Sequence, residues 1–225
     1  MKRSLLTFLF LVSGSQAFAI LNGKQVDFYD YPHTVLVRSA DATSSGALVG
    51  ERVVVTAGYM VMGSRTLTVV VDGRVYHVAE TRKSSVLNVD VGVAALLLEE
   101  VIEGGKPLSV ASKLPSPDSQ LALFGYGGTS STTSASFTQF LSTGTAEKFQ
   151  VLNPAQLMIT GSSAAYFGDS GGPVLSPDGQ VLGIIVAGNI LDQTYAANLL
   201  SYRSFLAKFA RETKAAICGV SQACD

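Results

Sequence analysis

Apolar and polar residues alternate along this chain in short runs with turn residues between them. The runs are TVLVRS (34–39), ERVVVTA (51–57), TLTVVV (66–71), RVYHVAE (74–80) and VDVGVAALLL (89–98). Each is short and rich in β-branched residues, the pattern of strands. Asp72-Gly73 lies between two of them and predicts a two-residue hairpin turn. After the loop SKLPSPDSQ (112–120) the pattern resumes with LALFGYG, AEKFQVL, AQLMIT, PVLS and QVLGIIVAG, with a tight turn at Pro177-Asp178-Gly179. Helical spacing occurs once. Tyr202, Phe205, Leu206 and Phe209 follow i, i+3, i+4, i+7, so SYRSFLAKFARETKAA predicts an amphipathic helix over about 201–217. The chain is therefore all-β with a C-terminal α-helix. Its halves run over about 20–115 and about 116–200 and meet at the Pro-Ser-Pro loop. The polar stretch GTSSTTSAS (128–136) reads as a loop and is assigned no chemistry.

The N-terminus changes this picture. Met1-Lys2-Arg3, the apolar block LLTFLFLV (5–12) and Ala17-Phe18-Ala19 form a secretory signal pattern, with residues 1–19 removed and Ile20 first in the exported chain. The apolar block is too short to span a bilayer, and no membrane association is expected after cleavage. Export to the periplasm or outside the cell makes an oxidised pair of Cys218 and Cys224 the natural state, a local loop at the tail. A hydrophobic fraction of 47% is ample for one large domain, and monomeric behaviour is expected. A net charge of −1 with no basic cluster argues against nucleic acid as a partner. No His, Cys and Asp grouping has metal-ligand spacing, so no metal or other cofactor is expected.

The candidate chemistry centres on GDSGGP (168–173). G-x-S-x-G also marks a hydrolase elbow, in which the serine opens a helix and is followed by its acid and its histidine. Here Gly171-Gly172-Pro173 leads into a strand and no histidine follows Ser170. That order is excluded. The remaining reading is a glycine-rich loop whose N–H groups at Gly168 and Ser170 converge on an oxyanion.

GDSGGP also resembles, in all six residues, the serine motif of the chymotrypsin-like (trypsin-like) serine protease family. The resemblance extends through ILNG (20–23), YPHTVLV (31–37), VVVTAGYM (53–60), VDVGVAALLL, FGYGG (124–128), VLGIIVAG and the final helix. It implies two antiparallel six-stranded β-barrels with a cleft between them. It places Ser170 at the nucleophile, Asp90 at the acid that orients the base, and Gly168 with Ser170 at the oxyanion donors. It pairs the ammonium of Ile20 with Asp169. It sets the substrate pocket at Ala164, Ala165, Phe167, Val186 and Gly188. No residue there would pair a basic side chain, so a trypsin-like preference is disfavoured.

The catalytic histidine position falls on Tyr59. The cysteine expected next is Met60, and the position of its disulfide partner holds Ser44, so both halves of one bridge are absent together. The chain has only two histidines, His33 and His77, and neither lies at the strand-end turn. A phenol, with a pKa of about 10, is a donor at neutral pH and does not relay protons as imidazole does. Losing the histidine of such a triad costs about a million-fold in turnover, or roughly 8 kcal/mol. The sequence therefore reads as an exported serine-protease fold without a base, acting by binding a peptide or protein in the former cleft. The alternatives are an active endopeptidase or esterase using Ser170 with an unconventional base, and a scaffold with a vestigial cleft.

Overall fold

A computed structural model of the chain describes residues 19–62, 66–84, 92–127, 140–189 and 192–224. Its first strands are β1 (Lys24–Gln25), β2 (Thr34–Arg38), β3 (Thr43–Gly50), β4 (Val53–Ala57), β5 (Thr68–Val71), β6 (Arg74–Ser84) and β7 (Val93–Leu98). They are followed by β8 (Leu121–Gly125), β9 (Ser142–Ala146), β10 (Lys148–Asn153), β11 (Gln156–Thr160), β12 (Pro173–Leu175), β13 (Val181–Gly188), β14 (Gln193–Asn198) and the helix α1 (Leu199–Thr213).

Strands β2-β3-β4-β7-β6-β5 close into a six-stranded barrel. Val35, Val37, Val54, Val69, Leu96 and Leu98 fill its interior with Met60 and Tyr76. The opposite faces of the same strands are also apolar. Val49, Val53, Val55 and Ala95 join a second cluster with Phe124, Ile184 and the helix residues Tyr202, Leu206 and Phe209. Strand β4 is thus buried at every position, which explains its unbroken VVVTA in place of an alternating pattern. The β5–β6 turn at Asp72-Gly73 has φ of 47° and 76°, the left-handed pair that a two-residue hairpin requires.

The second half is an eight-stranded sheet in the order β1-β9-β8-β12-β13-β14-β11-β10, curled around Leu121, Leu123, Leu157, Ile159 and Leu182. It differs in detail from the expected six-stranded barrel. Its edge strands β1 and β10 do not pair with each other among the described residues. The N-terminal segment joins this sheet rather than the first barrel, through Lys24↔Thr143 and Gln25↔Ser142. The cause is local: Ile20 is wholly buried in the second core, and Leu21 bridges Ala164.

Helix α1 is capped by the Asn198 side chain, which accepts from the Leu200 amide. It ends earlier than expected because Lys214 turns left-handed at φ 55°. The chain then returns to the first barrel, where the Cys218 amide donates to the Val49 carbonyl at 2.8 Å. The Cys218–Cys224 disulfide is formed, with 5.2 Å between the Cα atoms. Among the described residues, no helix is long and apolar enough to cross a membrane. Residues 1–18 of the signal pattern, Asp90 and the whole GTSSTTSAS stretch lie outside the described residues.

Candidate functional site

The site forms where the loop 168–173 meets the ends of β3 and β4. Left-handed glycines give the loop its shape, with φ of 93° at Gly168 and 90° at Gly171. Sterics fix the same residue type. A Cβ on Gly171 would lie 1.9 Å from the Ser45 carbonyl oxygen and 2.3 Å from Thr56 Oγ1. The Ser45 side chain stitches loop to barrel: its hydroxyl donates to the Gly168 carbonyl at 2.9 Å and accepts from the Tyr126 amide at 2.7 Å. The Ser45 amide donates to the Ser170 carbonyl at 2.8 Å. Behind it, the Thr56 hydroxyl donates to the Ser45 carbonyl at 2.6 Å.

Tyr59 sits on the 3-10 turn Gly58–Val61 that ends β4. The Gly58 amide donates to the Gly92 carbonyl at 2.7 Å, which presses the turn onto the start of β7. Met60 is buried in the first core, while Tyr59 remains 38% exposed. Its hydroxyl lies near those of Ser170 and Ser44, which favour its ionised form. Burial of that hydroxyl raises its pKa above the ordinary phenol value, and the two serine contacts only partly oppose this. The group is a neutral phenol at physiological pH. Ser44, fully buried, donates its own hydroxyl to the Ser170 carbonyl.

The histidines are elsewhere. His33 packs edge-on against Phe124 at 4.9 Å between ring centroids, and its Nδ1 is 2.9 Å from the Thr34 hydroxyl. Burial lowers its pKa to about 4, so it is a neutral core residue. His77 is exposed on β6, opposite Thr68. Neither has a hydrogen bond to Ser170 among the described residues. Asp90 lies outside them.

A cavity of about 430 Å³ adjoins Ser170, lined by Tyr59, Phe167, Gly168, Val186, Ala187 and Gly188 among others. Ala164 and Ala165 do not line it. They are buried below, Ala164 bonded to Leu21 and the Ala165 amide to Thr194 Oγ1 at 2.8 Å. The two walls touch there, since a Cβ on Gly188 would lie 1.9 Å from the Ala165 carbonyl oxygen. The cavity is therefore shallow, with an apolar rim at Phe167, which is 48% exposed.

Asp169 is wholly buried, and burial pushes its pKa up to about 8 despite the nearby amides of Tyr166 and Gly127. Its Oδ1 has no hydrogen-bond partner among the described residues. With Ala19 still attached, the Ile20 amide donates to the Ser142 hydroxyl at 2.8 Å. Ala19 Cα lies 2.9 Å, and Asp169 Oδ1 2.8 Å, from where a Cβ on Gly127 would stand, so the two crowd one spot. No group of three or more His, Cys, Asp or Glu suited to a metal occurs among the described residues.

Ser45, Thr56 and Thr194 escaped the sequence reading, and Ser44 appeared in it only as half of an absent disulfide. Their signal was faint but present: small hydroxyl residues in a strand where apolar ones would be expected.

The sequence model described as "Trypsin-like peptidase domain" matches residues 44–184. No curated protein matches the chain by sequence. Among solved structures it is similar to neuropsin, a serine protease expressed in the limbic system of mouse brain. That likeness has 17% identity and a TM-score of 0.68 over 83% of this chain and 98% of the other. It is also similar to the scabies mite inactivated protease paralogue S-I1, at 17% identity and a TM-score of 0.70 over 84% of this chain and 99% of the other.

Proposed function

The chain belongs to the trypsin-like peptidase family, and from that premise we propose that it is an exported, catalytically inactive member that binds a peptide or protein beside Ser170. One observation carries this reading: the cavity beside Ser170 is lined at the base position by Tyr59, a phenol whose pKa burial raises above its ordinary value. A phenol with a raised pKa is too weak a base to take the serine's proton, and the buried, neutral His33 has no hydrogen bond to Ser170 among the described residues. The oxyanion donors alone sustain only ~10³–10⁴-fold over water, far below a protease.

The cleft is suited to an extended ligand. Strand β12 covers β13 only as far as Ile184, and the Gly171 amide and Gly172 carbonyl of the loop cover Ile185. Beyond that point Ala187 and Gly188 are exposed, with no described strand on the cleft side. A peptide laid there would add a strand to the sheet. The tail disulfide and the absence of a membrane-crossing helix among the described residues fit secretion.

The test compares the secreted protein with Ser170→Ala from about pH 6 to about pH 10, a range over which the raised pKa keeps Tyr59 a phenol. Peptide and ester substrates of small, aromatic and basic preference are used with a fluorophosphonate. Coincident rates and negligible labelling are expected. Ser170-dependent turnover, or stoichiometric labelling at protease-like speed, would overturn the reading. Tyr59→His is the gain-of-function arm, in which any hydrolysis that appears should vanish on adding Ser170→Ala.

A further inference from the structure

The two-residue turn at Asp72-Gly73 places a carboxylate as well as closing a hairpin. Asp72, left-handed at φ 47°, accepts from the Tyr29 hydroxyl at 2.8 Å, and the Tyr29 amide donates to Asp27 Oδ1 at 3.0 Å. One residue of the segment between β1 and β2 thus fixes two carboxylates. Neither has an ion-pair partner among the described residues. Both line a cavity of about 280 Å³ walled by Phe28, Leu36, Val70 and Leu141, with no Lys, Arg or His in its lining. Tyr126 lines it too, and its hydroxyl pKa is raised by burial and then by the charges of Asp27 and Asp72. A second cavity, of about 410 Å³, shares Phe28 and Asp72 with the first, so the two form one groove past the exposed ring of Tyr29. This groove shares no lining residue with the cavity beside Ser170.

The second half of the groove already seats a guanidinium of the chain's own. Arg74 lies 4.9 Å over the Tyr76 ring and pairs with Glu100 at 2.8 Å and Glu103 at 2.7 Å. The first half repeats those parts, aromatic rings at Phe28 and Tyr29 with carboxylates at Asp27 and Asp72, and has no cation in its lining. We propose that this groove docks a protein partner through an arginine that has an apolar neighbour in sequence. The planar fork of a guanidinium reaches both carboxylates and stacks on a ring, whereas an ammonium is a point charge. The apolar neighbour fits against Leu36, Val70 and Leu141. The continuation of the groove past Phe28 gives room for further residues, which favours a polypeptide over a free small cation.

The probes are fluorescein-labelled, C-amidated peptides Gly-Leu-X-Leu-Gly, with arginine, lysine or citrulline at X, titrated into the secreted protein by fluorescence polarisation. The arginine peptide should bind at least ~10-fold more tightly than the citrulline peptide, the scale of hydrogen bonds to a charged group. Asparagine tolerates left-handed backbone, so Asp72→Asn keeps the turn and should erase that advantage, as should Asp27→Asn. Asp118 is exposed and lines neither cavity. Asp118→Asn makes the same change of charge and should leave binding intact. Equal affinity for arginine and citrulline, or an equal loss on Asp118→Asn, overturns the proposal. Lysine binding as tightly as arginine would remove the fork, and free arginine amide competing as well as the peptide would replace the protein partner with a small cation. Either result also overturns it.

Discussion

In the loop 168–173 the backbone itself is wedged against both halves of the molecule, whereas in the turn Gly58–Val61 the decisive side chain projects outward. A Cβ on Gly171 would meet the Ser45 carbonyl oxygen at 1.9 Å, and one on Gly172 the Phe124 carbonyl oxygen at 2.0 Å. Asp169 in the same loop is wholly buried. On the turn, Gly58 and Met60 are buried and Tyr59 is 38% exposed. Packing therefore demands the glycines of GDSGGP whether or not Ser170 reacts. The motif reports the fold. The chemistry is reported by residue 59, where packing leaves the choice open.

The largest effect that could break this contrast belongs to Gly171→Ala. Its φ of 90° is strained for any residue with a side chain, and the new methyl would collide with backbone that has nowhere to go. A loss of roughly 4 kcal/mol or failure to fold is expected, read from urea unfolding midpoints. Ser170→Ala, one position away on a half-buried side chain, should stay within about 1 kcal/mol of wild type. Similar costs for the two variants would mean that the loop is held by its serine and not by its glycines.

The pH dependence sharpens the contrast from inside the loop. Asp169 has its pKa raised from 3.8 to about 8 by burial, so it favours the native state while protonated. That contribution is whole below the unfolded value and is lost as pH rises through about 8. His33 works in the opposite sense. Its pKa is lowered from 6.5 to about 4 by burial, so its contribution is present above 6.5 and lost as pH falls through about 4. The two nearly cancel between about 4 and 6.5, leaving Asp169 alone to act between 6.5 and about 8. Full-length chain should lose roughly 2 kcal/mol across that upper window, and Asp169→Asn should flatten it. In protein cut after Ala19, an Ile20 ammonium paired with Asp169 would also remove the fall. Denaturant titrations of the two forms at matched pH check both statements.

Legibility in the sequence followed the same divide. Strands whose residues alternate or run apolar, such as 34–38 and 53–57, stand out because their burial is driven by side-chain transfer. Strand β3 did not stand out. TSSGALVG is buried at all eight positions, yet it opens on polar residues, of which Ser44 and Ser45 bond to the loop carrying Ser170. Strands β9 (STGTA) and β14 (QTYAAN) escaped for a related reason: small and polar residues carry little periodic signal even when Thr194 is wholly buried. The glycine loop and Tyr59 were legible from a motif and its register. The hydroxyl network between them was not, since it depends on contacts more than 120 residues apart, as Ser44 to Ser170 illustrates.

The smallest effect concerns that network and decides whether Tyr59 belongs to the loop or merely lies beside it. Tyr59→Phe removes the hydroxyl that touches Ser170 and Ser44, and should cost about 1 kcal/mol, the net worth of a hydrogen bond. Ser44→Ala should cost slightly more, because it also releases the Ser170 carbonyl, which still accepts from the Ser45 amide at 2.8 Å. The double variant should cost less than the sum by about 0.5–1 kcal/mol, since both changes remove one shared contact. Additivity in urea titrations would mean that Tyr59 rests on the loop without holding it. A clear coupling would make the phenol a clamp on Ser170, holding with a neutral hydroxyl the position where a hydrolase needs a base.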